Sequence, residues 1–201
     1  MAVLGIGGGR RAGALGLLAG LVLCVGLSEP VRAGDASLEY AVKANYLYKF
    51  TPFVEWPPAA FEAQASPFNL CVAGHDPFGE AMERVVRDRR VGDHPVMVIR
   101  LPVVAKGAAC HLLFLGRSRV QTPQQMLAAV AGQPMLTVAD QGLSAKGAMV
   151  QFVMLEGRVR FEIRSDAVQA GGLTLSSKLQ ALSAPQKAEN QRGDGQKGDP
   201  R

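Results

Sequence analysis

Five side chains have the chemistry to act on a small molecule if the fold brings them together: His75, Asp76, Arg117, Ser118 and Asp140. His75 and Asp76 end the stretch "LCVAGHD", Arg117 and Ser118 end "LLFLGRS", and Asp140 ends "MLTVAD". Serine, histidine and aspartate are the parts of a nucleophilic hydrolase, in which the imidazole takes the hydroxyl proton and the carboxylate orients the imidazole. The local pattern speaks against that use. Ser118 lacks the G-x-S-x-G turn that exposes a nucleophile. Asp76, directly before Pro77, suits a helix cap, Asp140, before Gln141-Gly142, suits a turn, and Arg117 suits a solvated loop. Neither G-x-G-x-x-G nor a phosphate loop occurs. His75, His94 and His111 recur at no paired metal-ligand spacing. The sequence therefore implies no catalytic residue, metal or cofactor. The functional alternative to these structural roles is a crevice that binds a small anion.

The elements that position them are legible from periodicity. Ser37 suits a helix cap, with Glu39 in the first turn. Leu38, Val42, Tyr46 and Phe50 form an i, i+4 stripe that Ala41 and Leu47 widen, and Pro52 ends the helix near Thr51. Short apolar runs at 68–74, 95–101, 110–116 and 134–139 read as strands. Between them lie a helix opened by Asp76 and Pro77, with Met82, Val85 and Val86 inward, and one opened by Thr122, Pro123 and Gln125 as a capping box. Two strands about Glu156-Gly157 read as a hairpin, and the stretch from 165 reads as helical with a break at Gly171-Gly172. Strands alternating with helices predict an α/β fold: a mostly parallel sheet flanked by helices on both faces, with a C-terminal antiparallel hairpin and helix. In such sheets ligands bind beyond the carboxyl ends of the strands, where the five polar residues fall.

The chain ends carry a different message. Arg10 and Arg11, the apolar run 12–27 and the small residues up to Ala33 follow the order of a cleaved signal peptide over residues 1–33. The run is shorter than the roughly 20 apolar residues of a membrane span. Cys24 follows Leu23, too bulky for a lipoprotein signal, and the arginine pair hints at twin-arginine export. Residues 34–184 then form one domain, and 185–201, of mixed charge and without apolar periodicity, a disordered tail. The whole chain carries +5. The leader's three arginines and one glutamate leave +3, spread along the domain without a basic cluster, which excludes a nucleic-acid partner. Of three cysteines, Cys71 and Cys110 remain after cleavage, most simply as a disulfide in an exported protein.

The stretch "NYLYKFTPFVEW" concentrates the aromatic residues Tyr46, Tyr48, Phe50, Phe53 and Trp56. Tyr46 and Phe50 lie on the apolar stripe and read as core. Tyr48 points elsewhere on the helix, and Phe53 and Trp56 follow the Pro52 break. Trp and Tyr are favoured anchors at interfaces, so Tyr48, Phe53 and Trp56 are the expected partner or dimer surface. In "GRVRFEIR", Arg158, Arg160, Glu162 and Arg164 alternate with Val159, Phe161 and Ile163, the pattern of an antiparallel strand with one wet face.

With these residues on the page, the chain resembles the YfiR family of bacterial periplasmic repressor proteins over about residues 38–184. "EYAVKANYLYKFTPFVEWP", "LCVAGHDPFG", "CHLLFLGRS", "PMLTVAD", "GAMVQFVMLEGRVRFEI" and "AGGLTLSSKL" carry the resemblance through their order and spacing. It implies a non-enzymatic, exported, often dimeric α/β protein. Such a protein binds the periplasmic sensor domain of an inner-membrane diguanylate cyclase and keeps cyclic-di-GMP synthesis, and with it biofilm formation, low. An OmpA-like outer-membrane lipoprotein captures the repressor and frees the cyclase. Cys71 and Cys110 match the family's disulfide positions, and the second cysteine pair of some relatives is missing here. The alternative is a periplasmic small-molecule sensor that uses the strand-end crevice.

Overall fold

The computed structural model describes residues 33–185. The export signal expected over 1–33 and the tail expected over 185–201 thus lie, but for one residue each, outside the described residues.

The first helix, α1 (Ala33–Phe50), is followed by a 3-10 turn (Thr51–Phe53) where Pro52 interrupts the helical pattern. Then come β1 (Val54–Glu55), β2 (Phe68–Ala73), α2 (Glu80–Val86), β3 (Arg90–Val91), β4 (His94–Leu101), β5 (Leu112–Leu115), α3 (Pro123–Ala129), β6 (Leu136–Ala139), β7 (Val150–Leu155), β8 (Arg158–Ile163), α4 (Ser165–Ala170), β9 (Thr174–Leu175) and α5 (Ser177–Leu182). The main sheet has the order β3-β4-β2-β5-β6-β7-β8. From β4 to β7 all pairings are parallel, and the outer strands β3 and β8 are antiparallel. This is the α/β architecture the alternating pattern predicts, hairpin included. The hairpin turn has Glu156 at φ 50° and Gly157 at φ 69°, the doubly left-handed geometry that matches strand twist.

The central strands are buried on both faces, as a parallel sheet requires. Phe68, Leu70 and Val72 of β2 face one core with Ala44, Leu47 and Phe50 of α1, Met82 and Val86 of α2, Val168 of α4 and Leu179 of α5. Cys71 and Ala73 face the other with Leu113 and Leu115, Met126 of α3 and Val104 of the β4–β5 connection. Strands β2 and β5 are direct neighbours, with Leu70 opposite Leu112. Their adjacency brings Cys71 and Cys110 to a Cα separation of 5.9 Å, and the disulfide closes there.

Three local expectations change. Ser37 lies inside α1 rather than capping it. The stripe on α1 is rotated: Leu38 is 67% and Val42 38% exposed, whereas Lys43, Ala44, Leu47, Phe50 and Thr51 are buried. Apolar residues surround this helix on several sides, so periodicity alone does not select a face. Asp76 and Pro77 do not open α2, whose N-cap is Gly79 at φ 49°. The Asp76 carboxylate still caps the chain ahead of the helix, accepting from the amides of Phe78 at 2.8 Å and Gly79 at 3.3 Å. The two-residue strands escape sequence reading: β3 pairs with the start of β4, and after the Gly171-Gly172 break β9 pairs with β1 as a separate antiparallel ribbon.

Candidate functional site

The loops after β2, β5 and β6 enclose a cleft of about 590 Å³ lined by Tyr40, His75, Pro77, Gly116, Arg117, Ser118, Arg119, Pro123, Asp140 and Leu143. Four of the five residues singled out from the sequence meet in it. The fifth, Asp76, turns away, and its Oδ2 accepts from Arg100 Nε at 2.7 Å. Arg100 also pairs with Glu83, whose carboxyl it holds below the usual carboxylate range.

Two glycines let the first two loops touch. Gly74 sits at φ 78°, and a β-carbon there would lie 2.6 Å from the carbonyl oxygen of Arg117; one at Gly116 would lie 2.6 Å from that of His75. The loops are joined by a hydrogen bond from the His75 amide to the Arg117 carbonyl, 2.7 Å. The cleft wall is thus backbone against backbone, with His75 and Arg117 projecting from it as exposed side chains.

The floor is polar, and its charged groups already have partners. Asp140 is 4% exposed. Its Oδ1 accepts from Lys43 Nζ at 2.6 Å and from the Gln141 amide at 2.9 Å, and its Oδ2 accepts from the Tyr40 hydroxyl at 2.9 Å. Lys43, fully buried, also donates to Glu39 and lies 4.6 Å from the centroid of the Tyr40 ring. Burial raises the Tyr40 pKa well above that of a free phenol, and the hydrogen bond to the anionic Asp140 raises it further. Tyr40 is therefore a fixed donor, and Asp140 an acceptor already in use.

Ser118 is occupied too. Its hydroxyl oxygen accepts from the amides of Val120 and Gln121, which shapes the turn into α3, where the Thr122–Gln125 capping box forms as its spacing predicts. No hydrogen bond joins Ser118 to His75 among the described residues. The geometry offers two exposed arginines over a hydrogen-bonded floor in which one lysine is shared by two carboxylates, with apolar walls from Pro77, Pro123 and Leu143.

Sequence reasoning missed Glu39, Tyr40 and Lys43. The available signal was a lysine one turn ahead of Leu47 on a helix bound for the core, a position where an unpaired charge is costly enough to demand a buried partner.

The aromatic stretch divides among different neighbours. Tyr46 packs with Phe50, Phe152 and Phe161, and is core. The Tyr48 hydroxyl donates to the Arg90 carbonyl at 3.3 Å, beneath the Arg89 guanidinium. Phe53 is half-buried, and its carbonyl accepts from the Ser176 amide at 2.9 Å. Trp56, also half-buried, donates from Nε1 to the His111 carbonyl at 3.2 Å and sets its ring edge-on to Phe68, centroids 5.0 Å apart. Tyr48, Phe53 and Trp56 follow one another along the chain without forming a single ring cluster.

A family model described as YfiR/HmsC-like matches residues 40–184, nearly the whole described domain. The chain belongs to the YfiR/HmsC-like family. Proteins of the YfiR family are periplasmic regulators that act on diguanylate cyclases through the cyclase's periplasmic domain. None of the helices among the described residues is long and apolar enough to cross a membrane.

Proposed function

We propose that this YfiR-like protein is an exported repressor that binds the periplasmic sensor domain of an inner-membrane diguanylate cyclase, lowering cyclic-di-GMP synthesis and biofilm formation. The observation that carries this reading is the family match over residues 40–184. Repression by binding needs no bond-making chemistry. It needs a higher affinity for the inactive cyclase than for the active one, because a ligand shifts an equilibrium only by that difference. Tyr48, Phe53 and Trp56 are the proposed contact surface, toward the cyclase or toward a second copy in a homodimer. An OmpA-like outer-membrane lipoprotein that captures the repressor would relieve the inhibition.

Gene deletion tests the reading. Cyclic-di-GMP and biofilm should rise on deletion, and only while the cognate cyclase is intact. The purified protein should also retain that cyclase's periplasmic domain in a pull-down. Unchanged cyclic-di-GMP in the deletion strain, with the cyclase expressed, would sink the proposal.

A further inference from the structure

The cleft lies where the sheet reverses its order of growth. From β2 the chain crosses through α2 to β4 on one side, then returns past β2 to β5 and continues outward to β6 and β7. In doubly wound sheets a ligand crevice opens at such a switch point, outside the carboxyl ends of the two strands that flank it, because the two connecting loops leave in opposite directions. Here those strands are β2 and β5, and their loops carry His75 and Pro77 on one side and Gly116 to Arg119 on the other. The helices after the two strands cover opposite faces, α2 with Met82 in one core and α3 with Met126 in the other. The gap between the loops therefore follows from the topology.

The charges in the cleft indicate what fits it. Asp140 is committed to Lys43 and Tyr40, and Lys43 also holds Glu39, so the floor has no free cation; its one lysine against two carboxylates leaves a single negative charge, which two arginines at the cleft outweigh. Arg117 and Arg119 line the same cleft, and neither pairs with a carboxylate among the described residues. The Arg117 guanidinium reaches across toward the β6 loop, its Nη2 3.8 Å from where a β-carbon on Gly142 would stand. An arginine fork presents parallel N–H groups that suit the two oxygens of a carboxylate or phosphate. Pro77, Pro123, Leu143 and the face of Tyr40 supply apolar wall, and the volume lies within the range of small-molecule sites.

We propose that the switch-point cleft binds a small organic anion, its carboxylate or phosphate head held by Arg117 and Arg119 and its apolar body lying against Tyr40, Pro77 and Leu143. The site takes its ligand on one protein chain and is independent of the cyclase reading, since binding is measured on the purified protein alone.

Calorimetric titration and thermal shift with four probes at constant ionic strength test it: hexanoate, hexyl phosphate, inorganic phosphate and hexanol. Hexanoate or hexyl phosphate, whichever head the site prefers, should bind and raise the melting temperature. Inorganic phosphate should bind more weakly, and hexanol should not bind measurably. The double variant Arg117→Ala/Arg119→Ala should keep the unliganded melting temperature, both side chains being exposed, and lose affinity by about tenfold or more. Leu143→Ser should weaken hexanoate while leaving inorganic phosphate unchanged. Binding of hexanol as tight as that of the anions, full affinity in the double arginine variant, or no binding of either hexyl anion would overturn the proposal. Inorganic phosphate binding as tightly as hexyl phosphate would overturn the apolar half of the site.

Discussion

Lys43 and Asp140, 97 positions apart in the chain, meet at 2.6 Å, and both are almost wholly withdrawn from solvent. The pair fastens α1 to the carboxyl end of β6 and sets the floor of the cleft. A buried ion pair contributes little net stability when intact, but removing one partner strands a charge in the interior, at a cost of about 3–5 kcal/mol. Lys43→Met should lower the unfolding free energy in urea by that amount, and Asp140→Asn by less, since Asn still accepts from Tyr40. Adding Asp140→Leu to Lys43→Met should recover part of the loss. An additive double variant would show that the pair does not act as a unit.

His111 should make the fold sensitive to acid. Its Nδ1 accepts from the Asn69 amide at 2.9 Å, which fixes Nε2 as the protonated nitrogen, donating to the Ala60 carbonyl at 3.0 Å. The ring lies between Phe61 and Phe68. Burial pushes its pKa below the usual 6.5, and nearby His94 acts in the same direction; the Ala60 carbonyl and Glu62 pull the other way without reversing it. A histidine with a depressed folded pKa favours the neutral ring, so the unfolded chain takes up the proton first. The stability it gives is complete above pH about 6.5 and is lost as pH falls below that value. The urea midpoint should therefore fall between pH 7.5 and 5. In His111→Phe that slope should flatten, at the cost of a lower midpoint throughout. An unchanged slope in the variant would assign the effect to other groups.

The strand-end cleft was largely legible because its signals are local. Apolar runs ended by Gly-His-Asp and Gly-Arg-Ser mark strand ends whatever their order in the sheet, and strand ends are where polar residues collect. The spatial order β4-β2-β5, which makes the cleft a switch point, depends on pairings between distant segments and leaves no local trace. Lys43 is legible only in part: its place one turn ahead of Leu47 signals a charge in need of a buried partner, but that partner, Asp140, is 97 positions away and leaves no local trace. The β1–β9 ribbon was hidden because two-residue strands have no measurable periodicity.

Reduction should weaken the domain without dissolving its topology. The Cys71–Cys110 bridge spans 39 positions, and closing such a loop limits the unfolded chain by about 4 kcal/mol in the chain-entropy model. The two neighbouring strands are also paired by their backbones, from Leu70 opposite Leu112 to Ala73 opposite Leu115, contacts that do not involve the bridge. Cys71→Ala/Cys110→Ala should fold with native far-UV circular dichroism and unfold in urea with about 2–5 kcal/mol less stability. Non-reducing peptide mapping of protein recovered from the periplasm should find the linkage, and free thiols there would count against it.

Trp56 is placed to serve both the core and a partner surface, because its ring is half in the core and half out. The buried edge rests on Phe68, and Nε1 is spent on the His111 carbonyl, so the ring is held in one orientation before any partner arrives. A pre-oriented, partly exposed tryptophan suits an interface anchor, since little side-chain freedom remains to be lost on binding. The same contacts mean that truncation also touches the fold. Trp56→Ala should therefore lower stability by about 1–2 kcal/mol, below the 3–5 kcal/mol of a fully buried aromatic. It should weaken binding to the cyclase periplasmic domain by about 2 kcal/mol if the ring is a hot spot. Trp56→Phe separates the effects: it keeps an aromatic edge for Phe68 and loses the donor to His111, so stability should return further than binding. Circular dichroism, the Cys71–Cys110 linkage and calorimetric titration against the cyclase domain, run on all three proteins, decide the matter. Equal binding by wild type and Trp56→Ala at a concentration where both are folded would remove Trp56 from the partner surface and leave it a core residue alone.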